Sequence, residues 1–280
     1  MSENFIPLSV PHIRGKEWEY VKECLDGEWV SSAGPFVDRF EREFATYVGS
    51  KHAVACSSGT ASLHVALLLA GVKDGDIVLV PTLTFIASVN AVRYCGAAPI
   101  FFDCDENYNL DPNQVVDFLT HECRSGSQGI VHKQSRRKIA AIMPVHIFGN
   151  AVWLEPLLEV ADKFGIPIIE DATESLGTRY LSSAGARTGG KHTGTIGQLG
   201  CFSFNGNKII TTGGGGMLVT NDDSMAKRAK YLTTQAKDDD ARFIHNEVGF
   251  NYRLTNLQAA VGSGQLEKID EYKKRRKRFF

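Results

Sequence analysis

The chain has 280 residues, and its 31 Lys+Arg against 32 Asp+Glu leave a formal net charge of −1. A balance this close to neutral excludes a generic polyanion binder, because nucleic-acid domains carry a basic excess. With 43% hydrophobic and 22% charged residues, the composition is that of an ordinary globular chain of one large domain, or one domain and part of a second, and it excludes wholesale disorder.

From residue 58 onward, helix-like and strand-like segments alternate. SGTASLHVALLLAG reads as a helix closed by Gly71, and DGDIVLVP as a strand. TFIASVNAVRYCG is a helix ending at Gly96, APIFFDCD a strand, NYNLDP a turn and NQVVDFLTHE a helix. Cys123 to Lys138 reads as a polar connector. KIAAIMPVHIFG is then a strand, AVWLEPLLEVADKFG a helix and IPIIEDA a strand. Short apolar strands with helices between them imply an α/β fold, with a mostly parallel sheet covered by helices on both faces.

Beyond Asp171 the texture changes. Leu181 to Gly200, rich in Gly, Ser and Thr, suggests a surface loop rather than core. GCFSFNGNKIITTGGGGMLVTND looks like two short strands joined by a Gly-rich turn, and helices follow at DSMAKRAKYLTTQ and from Asn256 onward. In the last helix Leu254, Leu257, Val261, Leu266 and Ile269 recur at helical spacing and predict one apolar face. The basic run Lys273 to Arg278 reads as the solvated face of that helix, with Glu267, Asp270 and Glu271 upstream, in preference to a targeting patch.

Six scattered cysteines form no C-x-x-C pair, so neither a disulfide framework nor a zinc site is expected. The start, MSENFIPLSVPHIRGKEW, has no signal-peptide pattern, and apolar runs such as VALLLAGV fall short of the roughly 18 residues of a membrane span. A cytoplasmic location without membrane or nucleic-acid partners is the expectation.

Three places could carry chemistry. Ser57-Ser58-Gly59-Thr60 directly precedes a helix, where small residues and the positive helix end suit an anion; the alternative is a plain N-cap by Ser58 or Thr60. Asp171 ends the apolar strand IPIIED, outside which ligands of open α/β sheets bind; it could hold a proton on a ring nitrogen, or merely cap the next segment. Lys208, in SFNGNK, has uncharged flanks whose burial would favour the neutral amine a Schiff base needs; the alternative is a surface lysine. GARTGGKH nearly fits a phosphate loop, but His192 replaces the magnesium-binding hydroxyl and no strand leads into it. No histidine pair has metal spacing and no G-x-S-x-G elbow is present, so no metal site is expected.

Taken in order, SSAGPFVDRFEREFA, CSSGTASLHVAL, VPTLTFIASVNAV, PVHIFGN, IIEDATESLG, GCFSFNGNKIITTGGGGML and GFNYRLTNLQAAVG resemble the pyridoxal-phosphate sugar aminotransferases of the DegT/DnrJ/EryC1/StrS family. The resemblance implies a type I aminotransferase fold with pyridoxal 5'-phosphate as cofactor. It implies that Lys208 is the Schiff-base lysine and proton shuttle, and that Asp171 pairs with the pyridinium nitrogen. Gly59, Thr60 and Ser203 would hold the phosphate, Phe85 would stack on the ring, and Glu174 would lie against it. Asn251 would reach the phosphate of a neighbouring subunit, making a homodimer with shared active sites.

The resemblance further implies a large cofactor-binding domain over residues 1–245 and the start of a C-terminal region over 246–280. Family members continue through a smaller C-terminal domain, so a truncated chain with that domain largely absent is expected. The implied reaction is transamination of a nucleotide-linked 4-keto-6-deoxy sugar, with EDATESLG resembling the N-acetylhexosamine subgroup and glutamate as donor. The presence of Lys208 favours this over the family's dehydratases. An inactive fragment retaining at most cofactor binding, or a pyridoxal-phosphate enzyme of another reaction, stand as alternatives.

Overall fold

The computed structural model describes residues 6–7, 9–126, 129–181, 187–239, 241–276 and 278. It opens with two helices, α1 (Glu17–Asp26) and α2 (Pro35–Val48), ahead of strand β1 (His52–Cys56). There follow α3 (Gly59–Leu69), β2 (Ile77–Pro81), α4 (Ile86–Tyr94), β3 (Ala98–Phe102) and α5 (Pro112–His121). Next come β4 (Cys123–Gly126), β5 (Gly129–His132), β6 (Ile139–Ile142), a 3-10 turn (Ile147–Gly149), α6 (Glu155–Phe164) and β7 (Ile169–Asp171). The rest is β8 (Leu199–Ser203), β9 (Gly216–Thr220), α7 (Asp223–Thr233), α8 (Asn256–Leu266) and α9 (Ile269–Arg276).

Strands β3-β2-β6 and β7-β8-β9-β1 form two ladders, joined by parallel bridges at Ile142–Ile168 and Val145–Asp171. The result is one twisted layer in which β9 alone runs antiparallel to its neighbours. Period-2 alternation divides its side chains between two faces. Val54, Val78, Val80, Cys201 and Leu218 pack under α3, α4 and α7. On the opposite face Ala55, Phe202, Met217 and Val219 meet α1, α2 and α8, while Ile77 and Leu79 meet α5 and α6. Phe40 and Phe44 of α2 lock onto Phe204 and Phe202 with ring centroids 5.1 Å apart. Caps set several helix starts: Asp111 and Asp222 accept first-turn amides, and Thr255 with Gln258 forms a reciprocal capping box.

The parallel α/β expectation holds, with four local corrections. The connector 123–138 contains the β4–β5 hairpin, because Cys123 and Ile130 bury inward while polar neighbours face out. The strand read into KIAAIMPVHIFG ends at Ile142, the backbone stays beside β7 as far as the bridge at Val145, and the 3-10 turn then takes the chain out of the sheet. The last helix breaks after Leu266. The inward face of α8 is made of small residues such as Ala259, Ala260 and Gly262, with Leu257 and Val261 only half-buried. A Cβ at Gly262 would lie 2.7 Å from the Phe40 ring.

The fourth correction is the largest. Residues 182–186 of the expected surface loop lie outside the described residues, but 192–194 and 199–200 are core: His192, Thr193 and Gly200 are buried. Glycine is what allows it, since a Cβ at Gly200 would sit 1.8 Å from the Gly194 carbonyl oxygen. Among the described residues no helix is long and apolar enough to cross a membrane, and no group of three or more His, Cys, Asp or Glu could hold a metal ion.

Candidate active site

Strand β7 ends in two adjacent carboxylates that alternation sends to opposite sides. Asp171, 3% exposed, faces α4: its Oδ2 accepts from Ser88 Oγ at 2.7 Å and its Oδ1 from the Thr173 amide at 3.1 Å. The main chain fixes its position, donating to the Pro144 carbonyl and accepting from the His146 amide. Glu170 faces the other way, fully buried. Its carboxylate accepts from the amides of Gly194, Ile196 and Gly197 at 2.6–2.8 Å and from His146 Nε2 at 2.9 Å. His146 Nδ1 accepts the Val152 amide, so the ring carries its proton on Nε2. Burial pushes Glu170 up, but the His146 hydrogen bond and these amides outweigh it and hold its carboxyl below the ordinary value.

Helix α3 begins beside this strand end. Ser58 caps it, accepting the Ala61 amide at 3.0 Å, so the cap reading is correct. The anion reading stands beside it, because Gly59 and Thr60 open toward a cavity of about 190 Å³ that Ser58, Phe85, Thr173, Glu174, Ser203, Asn205 and Lys208 also line. A Cβ at Gly59 would come within 2.9 Å of Ser203 Cβ and 3.1 Å of Thr173 Cγ2, so the absent side chain is what lets the helix end approach β8. Phe85, the residue before α4, is 69% exposed and lines the same space.

Lys208 enters from the turn between β8 and β9. Its uncharged flanks do bury it, leaving the side chain 16% exposed, which excludes a plain surface lysine. Nζ lies 3.2 Å from Glu174 Oε1. Glu174 Oε2 also accepts the Phe148 amide at 2.9 Å. A wider cleft of about 670 Å³ continues outward past Phe148, Asn150, Lys273 and Arg276.

Gly59, Thr60, Phe85, Glu174, Ser203 and Lys208 therefore line one cavity; Asp171 does not line it itself, but its carboxylate accepts the amide of Thr173, which does. Asn251 is not among them. Phe250 and Tyr252 stack at 5.0 Å and turn inward onto His64, so alternation leaves Asn251 exposed, away from this chain's own cavity. Reasoning from sequence missed Ser88, Thr173, Glu170 and His146. Ser88 had a signal, since Thr84 and Ser88 put two hydroxyls four residues apart on one face. Adjacent carboxylates in an apolar strand were a signal for Glu170.

A lysine, a buried carboxylate and a helix N-terminus meeting at the strand ends of such a sheet define a pyridoxal-phosphate enzyme of the type I aminotransferase fold. The chain belongs to the DegT/DnrJ/EryC1/StrS aminotransferase family, which matches it over residues 11–280. It is 44% identical over 274 residues to the GDP-perosamine synthase of Caulobacter vibrioides, covering 98% of this chain and 67% of that one. To the GDP-perosamine synthase of Escherichia coli O157:H7 it is 40% identical, over 98% of this chain and 69% of the relative. The crystal structure of a family aminotransferase from Brucella abortus matches with a TM-score of 0.81 at 28% identity, over 91% of this chain and 64% of that one. The chain thus spans about two thirds of the length of these relatives. Pyridoxal phosphate is the cofactor of this family, and the residues present fit it: the Gly59 cradle that a Cβ would fill offers amides to a phosphate, and amine and carboxylate flank the same cavity.

Proposed function

We propose that this chain carries the cofactor-binding part of an aminotransferase that moves an amino group from glutamate to the C4 keto group of a nucleotide-linked 4-keto-6-deoxy sugar. The observation that carries the reading is the convergence of Lys208, Glu174, Phe85 and the α3 N-terminus on one cavity, with Asp171 buried beside it. Similarity to two GDP-perosamine synthases favours a guanosine diphosphate sugar. The run EDATESLG favours an N-acetylhexosamine as the second reading. Residues 1–245 form the large domain of this reading and 246–280 the start of its C-terminal region, anchored by α8 in the core shared with α1 and α2. The enzyme works in the cytoplasm, in cell-surface polysaccharide synthesis.

When bound, the cofactor supplies an electron sink for the carbanion formed at the amine carbon. Amides of Gly59 and Thr60, with the Ser203 hydroxyl, hold the phosphate at the positive end of α3. Asp171 accepts the ring N–H and keeps that proton in place, and Phe85 covers one ring face and excludes water from it. Lys208 Nζ takes the proton from the amine carbon and returns it on the keto-acceptor side. Glu174 holds the lysine between these duties. Asn251, facing away from its own cavity, serves the phosphate of the second subunit in a homodimer.

Trapping tests the reading. The chain is mixed with pyridoxal phosphate, reduced with borohydride and digested, and the pyridoxyl label is mapped by mass spectrometry. Label on Lys208 is expected, with Lys208→Ala taking none at that peptide and losing about 10³-fold or more of glutamate-dependent cofactor conversion. Label spread over exposed lysines, or no cofactor absorbance, overturns the proposal. Supplying guanosine and uridine diphosphate keto sugars with glutamate separates the two sugar readings.

A further inference from the structure

We infer that Ser88 is a positioning residue for Asp171: its hydroxyl fixes the carboxylate oxygen facing α4 and so sets how the remaining lone pairs meet the cofactor's ring nitrogen. The inference rests on the proposed pairing of Asp171 with that nitrogen. Ser88 is wholly buried, and its Oγ lies 2.7 Å from Asp171 Oδ2. An ionised carboxylate only accepts, so Ser88 gives its single proton to Asp171. Thr84 Oγ1, 2.9 Å from Ser88 Oγ, is then placed to donate to it, with the Phe85 carbonyl at 3.3 Å as its other acceptor. With Thr84 donating to Ser88, both hydroxyl protons point the same way along the chain Thr84–Ser88–Asp171, an alignment in which each bond polarises the next. With the Thr173 amide on Oδ1, each carboxylate oxygen has one fixed donor and retains one free lone-pair direction.

The fold itself does not call for this hydroxyl. Alanine would occupy nearly the same space, forms helix better, and already stands nearby in α4 at Ala87 and Ala91. What the hydroxyl adds is a tie across 83 residues, from the helix that starts immediately after Phe85 to the end of β7. The residue on the proposed ring face and the residue at the proposed ring nitrogen are thereby held to one geometry before any ligand arrives. Without the bond, a carboxylate with one donor is free to turn away from that geometry.

The full chain is compared with Ser88→Ala, Ser88→Val and Ser88→Thr, each checked for folding by circular dichroism and thermal melting. Each is titrated with pyridoxal phosphate by visible absorbance, and the bound form is then titrated with pH. Ser88→Ala and Ser88→Val are expected to bind about tenfold more weakly and to move the pH midpoint of the bound absorbance by half a pH unit or more, whereas Ser88→Thr retains both. Valine carries the volume of threonine without its hydroxyl, so the pair separates hydrogen bond from packing. Ser88→Val matching the parent, or Ser88→Thr matching Ser88→Val, overturns the inference while leaving the proposed function intact. A parent chain that binds no cofactor overturns both.

Discussion

Two regions beside the cavity, the end of β7 and the turn between β8 and β9, differ in character. On the β7 side every carboxylate oxygen is engaged: Asp171 by Ser88 and Thr173, Glu170 by His146 and three backbone amides. On the turn side Lys208 rises from a segment whose Asn205 and Asn207 are exposed, and Glu174 Oε1 lies 3.2 Å from its Nζ. The difference teaches a division of labour. A group that must keep one bearing stands on a strand and is held from both sides, and a group that must change partners stands on a turn and is held by one partly exposed ion pair.

The comparison breaks most visibly at Glu170. Glu170→Ala strips His146 and the amides of Gly194, Ile196 and Gly197 of their acceptor in a dry interior, and is expected to destabilise the fold by about 3–5 kcal/mol. Urea unfolding at pH 7 measures it; a loss below about 1 kcal/mol would mean that the strand side is no better fixed than the turn. Acid probes the same side through His192, which is buried, donates from Nδ1 to the Thr193 carbonyl and accepts the Gly177 amide on Nε2. Burial pushes this imidazole down to about 4, so it is neutral in the fold, whereas the unfolded chain takes up a proton near 6.5. Stability is therefore full above about pH 6.5 and declines toward pH 4, by on the order of 3 kcal/mol. Urea midpoints across that window should converge for parent and His192→Gln as pH falls; parallel curves would count against the argument. The smallest effect belongs to the turn side. Glu174→Gln is expected to cost less than about 1 kcal/mol, because the pair it removes is partly exposed, while borohydride still labels Lys208.

Much of this was legible in the sequence, and the illegible part has a common cause. Alternating segments, a lysine with uncharged flanks, a strand-terminal aspartate and small residues before a helix are local signals, and each led to its element. Helices α1 and α2 fall outside the strand–helix alternation that revealed the rest. The antiparallel course of β9 depends on pairing with β1, where even the closest register pair, Cys56 opposite Gly216, is 160 residues apart in sequence. Ser88 finds its acceptor 83 residues on, and Glu170 its amides 24–27 residues on. The run from His192 to Gly200 misled because small polar residues look like surface, although here their smallness is what admits them to the core.

Glu170 has one more consequence, for how this protein can change. Three of its four partners are main-chain amides, which any residue but proline supplies. The carboxylate therefore reads spacing, not side-chain identity. Residue 196 is free to drift as far as this grip is concerned, whereas room for a Cβ confines Gly197, and both room and a positive φ of 82° confine Gly194. One residue inserted between 194 and 197 would slide an amide out of reach. The segment tolerates substitution more readily than a change of length.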